Sequence, residues 1–149
     1  MILKTFIAII IYGFGLNCDF ETEYVLKKAG FETQKRHLNE LIENPELLNK
    51  AHLLVLPGGF AHGDAIEAGS FLALTLRTKL DKALKNFINE KKLIIGICNG
   101  AQVLVKYPLL PQVAEKENAT ITLSSNESGK FENRWVKLKI NPNCPCLFT

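Results

Sequence analysis

Residues 96–100 read Gly-Ile-Cys-Asn-Gly, one cysteine with a glycine two positions away on either side. Cysteine is a strong nucleophile once its thiol ionises. The spacing is that of a G-x-S-x-G nucleophile elbow, with Cys98 in place of serine. An apolar run, KLIIGI, enters the motif and AQVLV leaves it. A strand that turns sharply into a helix forces its central residue into a sparsely populated backbone conformation. Flanking glycines remove the side chains that would clash there. Cys98 would then project from a helix N-terminus, where the dipole and unpaired N–H groups favour thiolate. The N–H of Asn99 would point where an oxyanion forms. A structural cysteine in a tight turn is the other reading of the same five residues.

A second loop, Pro57-Gly58-Gly59-Phe60, follows another apolar run, HLLVLP. Two adjacent glycines let a backbone approach a ligand closely and donate its N–H groups, although Pro-Gly-Gly is also a common turn. A third glycine-rich turn, GFGLNCD, follows the apolar run from Phe6 to Tyr12. The three turns should converge in space, and the elbow and the Pro57–Phe60 loop together would supply a nucleophile and an oxyanion hole.

Those turns need strands to carry them. The spacing predicts a buried strand over 6–12 and a helix from Asp19, as N-cap, to a stop at Gly30. FETQKRHL alternates apolar and polar residues as a half-exposed strand, and a small helix lies near PELLNK. HLLVLP and KLIIGI are further buried strands. Residues 65–90 are helical, with Ile66, Ala73, Leu76, Leu80, Leu84, Phe87 and Ile88 near one face. Gly69 and Thr75 allow a break, and NGAQVLVK is the helix after the elbow. ATITLSS and RWVKLKI read as antiparallel strands joined by a polar NESGK turn. Alternating strands and helices imply right-handed crossovers and a mostly parallel sheet with helices on both faces. In such sheets the chemistry sits at the carboxyl ends of the strands.

The 149 residues suit one domain with one substantial core. Net charge is +3, without the dense basic stripe that nucleic-acid binding requires. The apolar stretch at 6–12 is too short to span a bilayer and lacks a small-x-small cleavage site. The expectation is a cytoplasmic chain with no membrane partner. The four cysteines are Cys18, Cys98, Cys144 and Cys146. The last two form C-P-C with no histidine cluster, which argues against zinc, and in a reducing compartment all four remain thiols.

LPGGF followed by GICNGAQ resembles the class I (triad) glutamine amidotransferases. GLNCDFETEYVLKKAGFE, LPGGFAHGDAIEAGSFLA, GICNGAQVL and NESGKFENRWVKL resemble, in order, segments of the glutaminase subunits of phosphoribosylformylglycinamidine synthases, enzymes of purine biosynthesis. The resemblance implies a three-layer flavodoxin-like α/β domain over 1–149. It implies that Cys98 attacks the carboxamide of glutamine and forms a thioester. Backbone N–H groups near Gly58 and Gly59 and that of Asn99 would hold the oxyanion, and Gln102 would position the glutamine. The implied partners are a large synthetase subunit and a small accessory subunit. No cofactor is implied for the glutaminase, since ATP and Mg2+ belong to the synthetase.

The chain departs from the family's pattern at several positions. Phe14 and Leu16 stand where the family usually has a proline and a hydroxyl residue, and Ala61 and His62 stand where a Ser-Tyr pair is usual. The family's base, in a His-x-Glu motif, has no counterpart here, since His37, His52 and His62 lie in no such motif. The resemblance therefore implies a chain lacking the C-terminal part, a weak or inactive glutaminase by itself. Two alternatives remain: an inactive docking or regulatory module, and a DJ-1/PfpI-type cysteine protein on a similar fold. Cys18 reads as helix-start packing, Asn17 and Asp19 as loop-shaping or capping residues. Arg134 and Trp135 read as a partner-facing pair or as part of an amphipathic strand.

Overall fold

The computed structural model describes residues 5–64, 67–107, 109, 121–144 and 146–148. Four parallel strands form one sheet: β1 (Ile7–Tyr12), β2 (Glu32–His37), β3 (Leu53–Leu56) and β4 (Leu93–Gly96), in the order β2-β1-β3-β4. The helices are α1 (Asp19–Lys28), α2 (Leu38–Glu43), α3 (Ser70–Thr75), α4 (Asp81–Asn89) and α5 (Asn99–Lys106), with a 3₁₀ turn over Pro45–Lys50. The α/β class is as expected, and helices cover both faces.

β1, β3 and β4 are short apolar runs with helices packed on both sides, whereas the edge strand β2 is polar and part-exposed. Ile9 and Ile11 join Leu54 and Leu56 in a core with Leu41 of α2, Leu76 of the turn between α3 and α4, Phe87 of α4 and Val103 of α5. The intervening Ala8, Ile10, Leu53 and Val55 face the other way, towards Leu26 of α1 and Phe31. Strand period 2 thus splits one apolar run between two layers.

Several local expectations change. Asp19 is the first residue of α1, not its cap; Cys18 holds the cap position and makes no side-chain capping bond. The Asp19 carboxylate instead meets Lys35 Nζ of β2 at 3.1 Å. Helix α2 was not anticipated; His37 caps it, with Asn39 N donating to Nδ1 at 3.2 Å. Leu38, Leu41 and Ile42 already stand at helical spacing. The long helix breaks as allowed: Gly69 precedes α3, and a π-type turn over Leu76–Leu80 separates it from α4. Ile66 lies outside the described residues.

The expected late strand pair is not formed among the described residues of 121–144. Ile121, Leu123, Val136 and Leu138 are exposed there, and Trp135 is fully so. A two-stranded ribbon is marginal unless another layer covers its apolar side, and nothing described covers this one. Ala119 and Thr120 lie outside the described residues.

Candidate active site

The three glycine turns converge at the carboxyl edge of the sheet. Phe60 N donates to Gly15 O at 2.8 Å, His62 N to Phe14 O at 2.6 Å and Cys18 N to Gly58 O at 3.2 Å. Ile97 N, at the end of β4, donates to Leu56 O at 3.0 Å, so the elbow is stitched to the end of β3.

Cys98 takes φ 52° and ψ −113° at the N-cap of α5, and it is exposed. Few non-glycine residues adopt such a conformation. Its neighbours explain why the chain accepts it. A Cβ on Gly100 would strike the Leu56 carbonyl, and one on Gly96 would lie 2.6 Å from the Gly100 carbonyl. Both glycines are therefore required by close backbone packing, as the motif predicts. The carbonyl of Cys98 accepts from the N–H groups of Ala101 (3.0 Å) and Gln102 (3.2 Å), which fixes the first turn of α5. The Asn99 N–H, at the very start of that helix, has no intrahelical acceptor.

Gly58 lies against the nucleophile. A Cβ built there would sit 3.4 Å from both Cys98 Cβ and Cys18 Sγ. Gly59, at φ 144°, passes so close to the Gly15 carbonyl and the Asn17 N–H that only glycine fits. The structure thus brings together Cys98, Gly58, Gly59, Asn99 and Gln102, all five residues expected at the site.

The Asn99 side chain adds something the sequence did not disclose. It is 1% exposed. Its Oδ1 accepts from Ala61 N at 3.0 Å. Its Nδ2 donates to Asp64 Oδ1 at 3.0 Å and to Gln102 Oε1 at 2.9 Å. Asp64 also accepts from Gly69 N at 3.2 Å. Sequence reasoning missed Asp64: a Gly-Asp pair after a glycine loop is a turn signal and carries no pointer to an asparagine 35 positions on.

None of the three histidines is placed as an obvious partner for the thiol. His37 and His52 each spend Nδ1 on a backbone N–H, of Asn39 and Ile7. His62 stacks on Phe14 (ring centroids 4.9 Å, 14° between planes) and lies against Phe71. Its Nε2 is buried without a hydrogen bond, and burial pushes the imidazole below its usual value. Arg134 pairs with Glu132 on the exposed 121–144 segment beside Trp135. Among the described residues no group of three His, Cys, Asp or Glu side chains could hold a metal ion.

A cysteine elbow joined to a Gly-Gly loop could serve acyl transfer on several substrates. The sequence narrows this, because residues 6–149 match the CobB/CobQ-like glutamine amidotransferase domain. The chain belongs to that family. Among relatives of this amidotransferase domain, phosphoribosylformylglycinamidine synthase subunit PurQ of Dehalococcoides mccartyi is 46% identical over 135 residues, covering 91% of this chain and 52% of the relative. The subunit PurQ of Methanococcus maripaludis is 38% identical over 144 residues, covering 95% and 53%. A chain of the PurLQS structure from Thermotoga maritima matches with TM-score 0.70 and 32% identity, over 89% of this chain and 54% of that one. The chain spans about half the length of the curated relatives it matches. Among the described residues, no helix is long and apolar enough to cross a membrane.

Proposed function

We propose that this chain carries the nucleophile half of the glutaminase of phosphoribosylformylglycinamidine synthase. The Cys98 thiolate attacks the side-chain carboxamide carbon of glutamine. The oxyanion is held by N–H groups near Gly58 and Gly59 and by that of Asn99. The C–N bond breaks, the amine leaves as ammonia after taking a proton, and a glutamyl thioester remains. Water then cleaves the thioester, and glutamate departs. Gln102 positions the substrate. The ammonia goes to a large synthetase subunit, in an assembly with a small accessory subunit. That partner uses ATP and Mg2+ to convert formylglycinamide ribonucleotide to the amidine in purine biosynthesis.

The observation that carries this reading is Cys98 at φ 52°, projecting at the start of α5 with Gly58 packed against it. Similarity to PurQ subunits and to a chain of the PurLQS structure supports the substrate and the partner. A cytoplasmic site of action agrees with the free thiols of Cys18 and Cys98. General-base assistance is worth about 10²–10⁴-fold, and His62 is packed between aromatic rings. The 149-residue chain alone is therefore a slow glutaminase.

The test is labelling of Cys98 by 6-diazo-5-oxo-L-norleucine, a glutamine-shaped electrophile, beside a glutamine hydrolysis assay. Saturable labelling that glutamine competes away, with weak turnover, is the expected result. Labelling without saturation or competition would remove glutamine as the substrate. Rapid steady-state hydrolysis by this chain would show that the thiol already has its base.

A further inference from the structure

Asparagine can present its amide either way round, since oxygen and nitrogen exchange places at little steric cost. Asn99 has three polar neighbours, and they do not constrain it equally. Gln102 is itself an amide and can offer either end. Ala61 N–H can only donate, and the Asp64 carboxylate can only accept. A reversed Asn99 would point its NH2 at the Ala61 N–H and its oxygen at the carboxylate. The observed orientation is thus fixed from two sides, by a backbone donor and by Asp64.

We infer that Asp64 is a positioning residue: through Asn99 it fixes the Gln102 amide and pins the 58–61 loop to the Cys98 elbow. With Asn99 Nδ2 directed at it, Gln102 commits Oε1 and keeps its two N–H groups to offer an acceptor oxygen on the substrate. With Asn99 Oδ1 directed at Ala61, the loop after Gly58 and Gly59 is tied to the first residue of α5. Both tethers pass through one side chain, and that side chain takes its orientation from Asp64.

Asp64 is held in place at a cost. His62, Gly63 and Asp64 follow one another at φ 54°, 65° and 50°. Left-handed backbone is unfavourable for His and Asp. The carboxylate balances this by accepting from Gly69 N, next to α3, as well as from Asn99. Its position therefore depends on both sides of the site.

The inference rests on the reading of Cys98 as the glutamine-attacking thiol, and the test keeps the two apart. The full 149-residue chain and its Asp64→Ala and Asp64→Asn variants are each alkylated with iodoacetamide and with 6-diazo-5-oxo-L-norleucine. Amide exchange at Ala61 is followed in parallel. Asn at 64 retains an acceptor oxygen, whereas Ala retains none. Expected for Asp64→Ala is iodoacetamide labelling within about twofold of wild type, while glutamine-analogue labelling falls about tenfold, chiefly through weaker saturation, the scale of one lost hydrogen bond. Exchange at Ala61 rises about tenfold while Leu54 and Val55 stay protected. Asp64→Asn recovers most of both. Equal loss with both reagents, no change with either, or failure of Asn to rescue would overturn the inference. If wild type resists the glutamine analogue yet reacts with iodoacetamide, the glutamine reading falls. The Ala61 exchange then decides the Asp64 inference alone: unchanged exchange in Asp64→Ala overturns it.

Discussion

The elbow at 96–100 and the turn at 61–64 both hold residues in left-handed backbone, and they do so by opposite means. In the elbow a single residue, Cys98, is strained. Glycines two positions away let the backbone of α5 press against Leu56, so main-chain packing holds the thiol. In the other turn three consecutive residues are left-handed, two of them not glycine. Side chains hold them: Asp64 on Asn99 and Gly69, His62 between Phe14 and Phe71. Strain secured by glycine leaves a mark in the sequence, because only one residue type fits. Strain secured by distant side chains leaves almost none.

The largest expected effect lies in the elbow. Gly100→Ala drives a Cβ into the Leu56 carbonyl, backbone against backbone. It should cost about 3 kcal/mol or more, since neither side can yield as a side chain would. Denaturant unfolding checks this, and a near-native midpoint would mean that the elbow is not held by packing. Asn99→Ala comes next. It leaves a buried Ala61 N–H and the Asp64 carboxylate each short of a partner, a loss of about 2 kcal/mol, read in the same titration. An equal loss in Asn99→Ala and Gly100→Ala would erase the distinction between the two turns.

A smaller effect has the opposite sign. Glycine accepts φ 52° without steric cost, so Cys98→Gly should be more stable than Cys98→Ala by about 1 kcal/mol. Equal melting temperatures would show that the strain at Cys98 is not energetic. The smallest effect is on pH dependence. Burial lowers the pKa of His62 from its usual 6.5. The unfolded chain therefore binds that proton more readily than the folded one. The folded state suffers no penalty from His62 above about pH 6.5, and it loses stability as pH falls below that value. His62→Phe keeps an aromatic ring in the stack and should flatten the fall in melting temperature between pH 7 and pH 5. A parallel fall in wild type and variant would remove His62 from the account.

Much of the fold was legible because each buried strand is a short apolar run ending at glycine. Gly30 was readable as a stop, and it takes φ 89° after α1. The start of α5 was readable because the elbow dictates it. Helix α2 escaped because it is only six residues long and its first, Leu38, reads as the end of the strand FETQKRHL. The strand expectation at RWVKLKI failed for a different reason. Alternation shows which face a strand would bury, and the described structure offers that face nothing to pack against. Of the site, Cys98, Gly58 and Gly59 were legible through glycine. The amide of Asn99 was not, since its partners come from Ala61 and Asp64, far back in the chain.

The stacked rings of Phe14 and His62 have a consequence for substitution. They belong to two different turns at the carboxyl edge of the sheet, and they touch each other. Phe14 sits at φ 51°, an angle closed to proline, whose ring holds φ near about −65°. A proline at 14 would ask the first loop for a shape it does not have, and would take away the ring on which His62 stacks. The two rings therefore bind the choice of residue at 14 to that at 62, since a change at either alters the packing of the other.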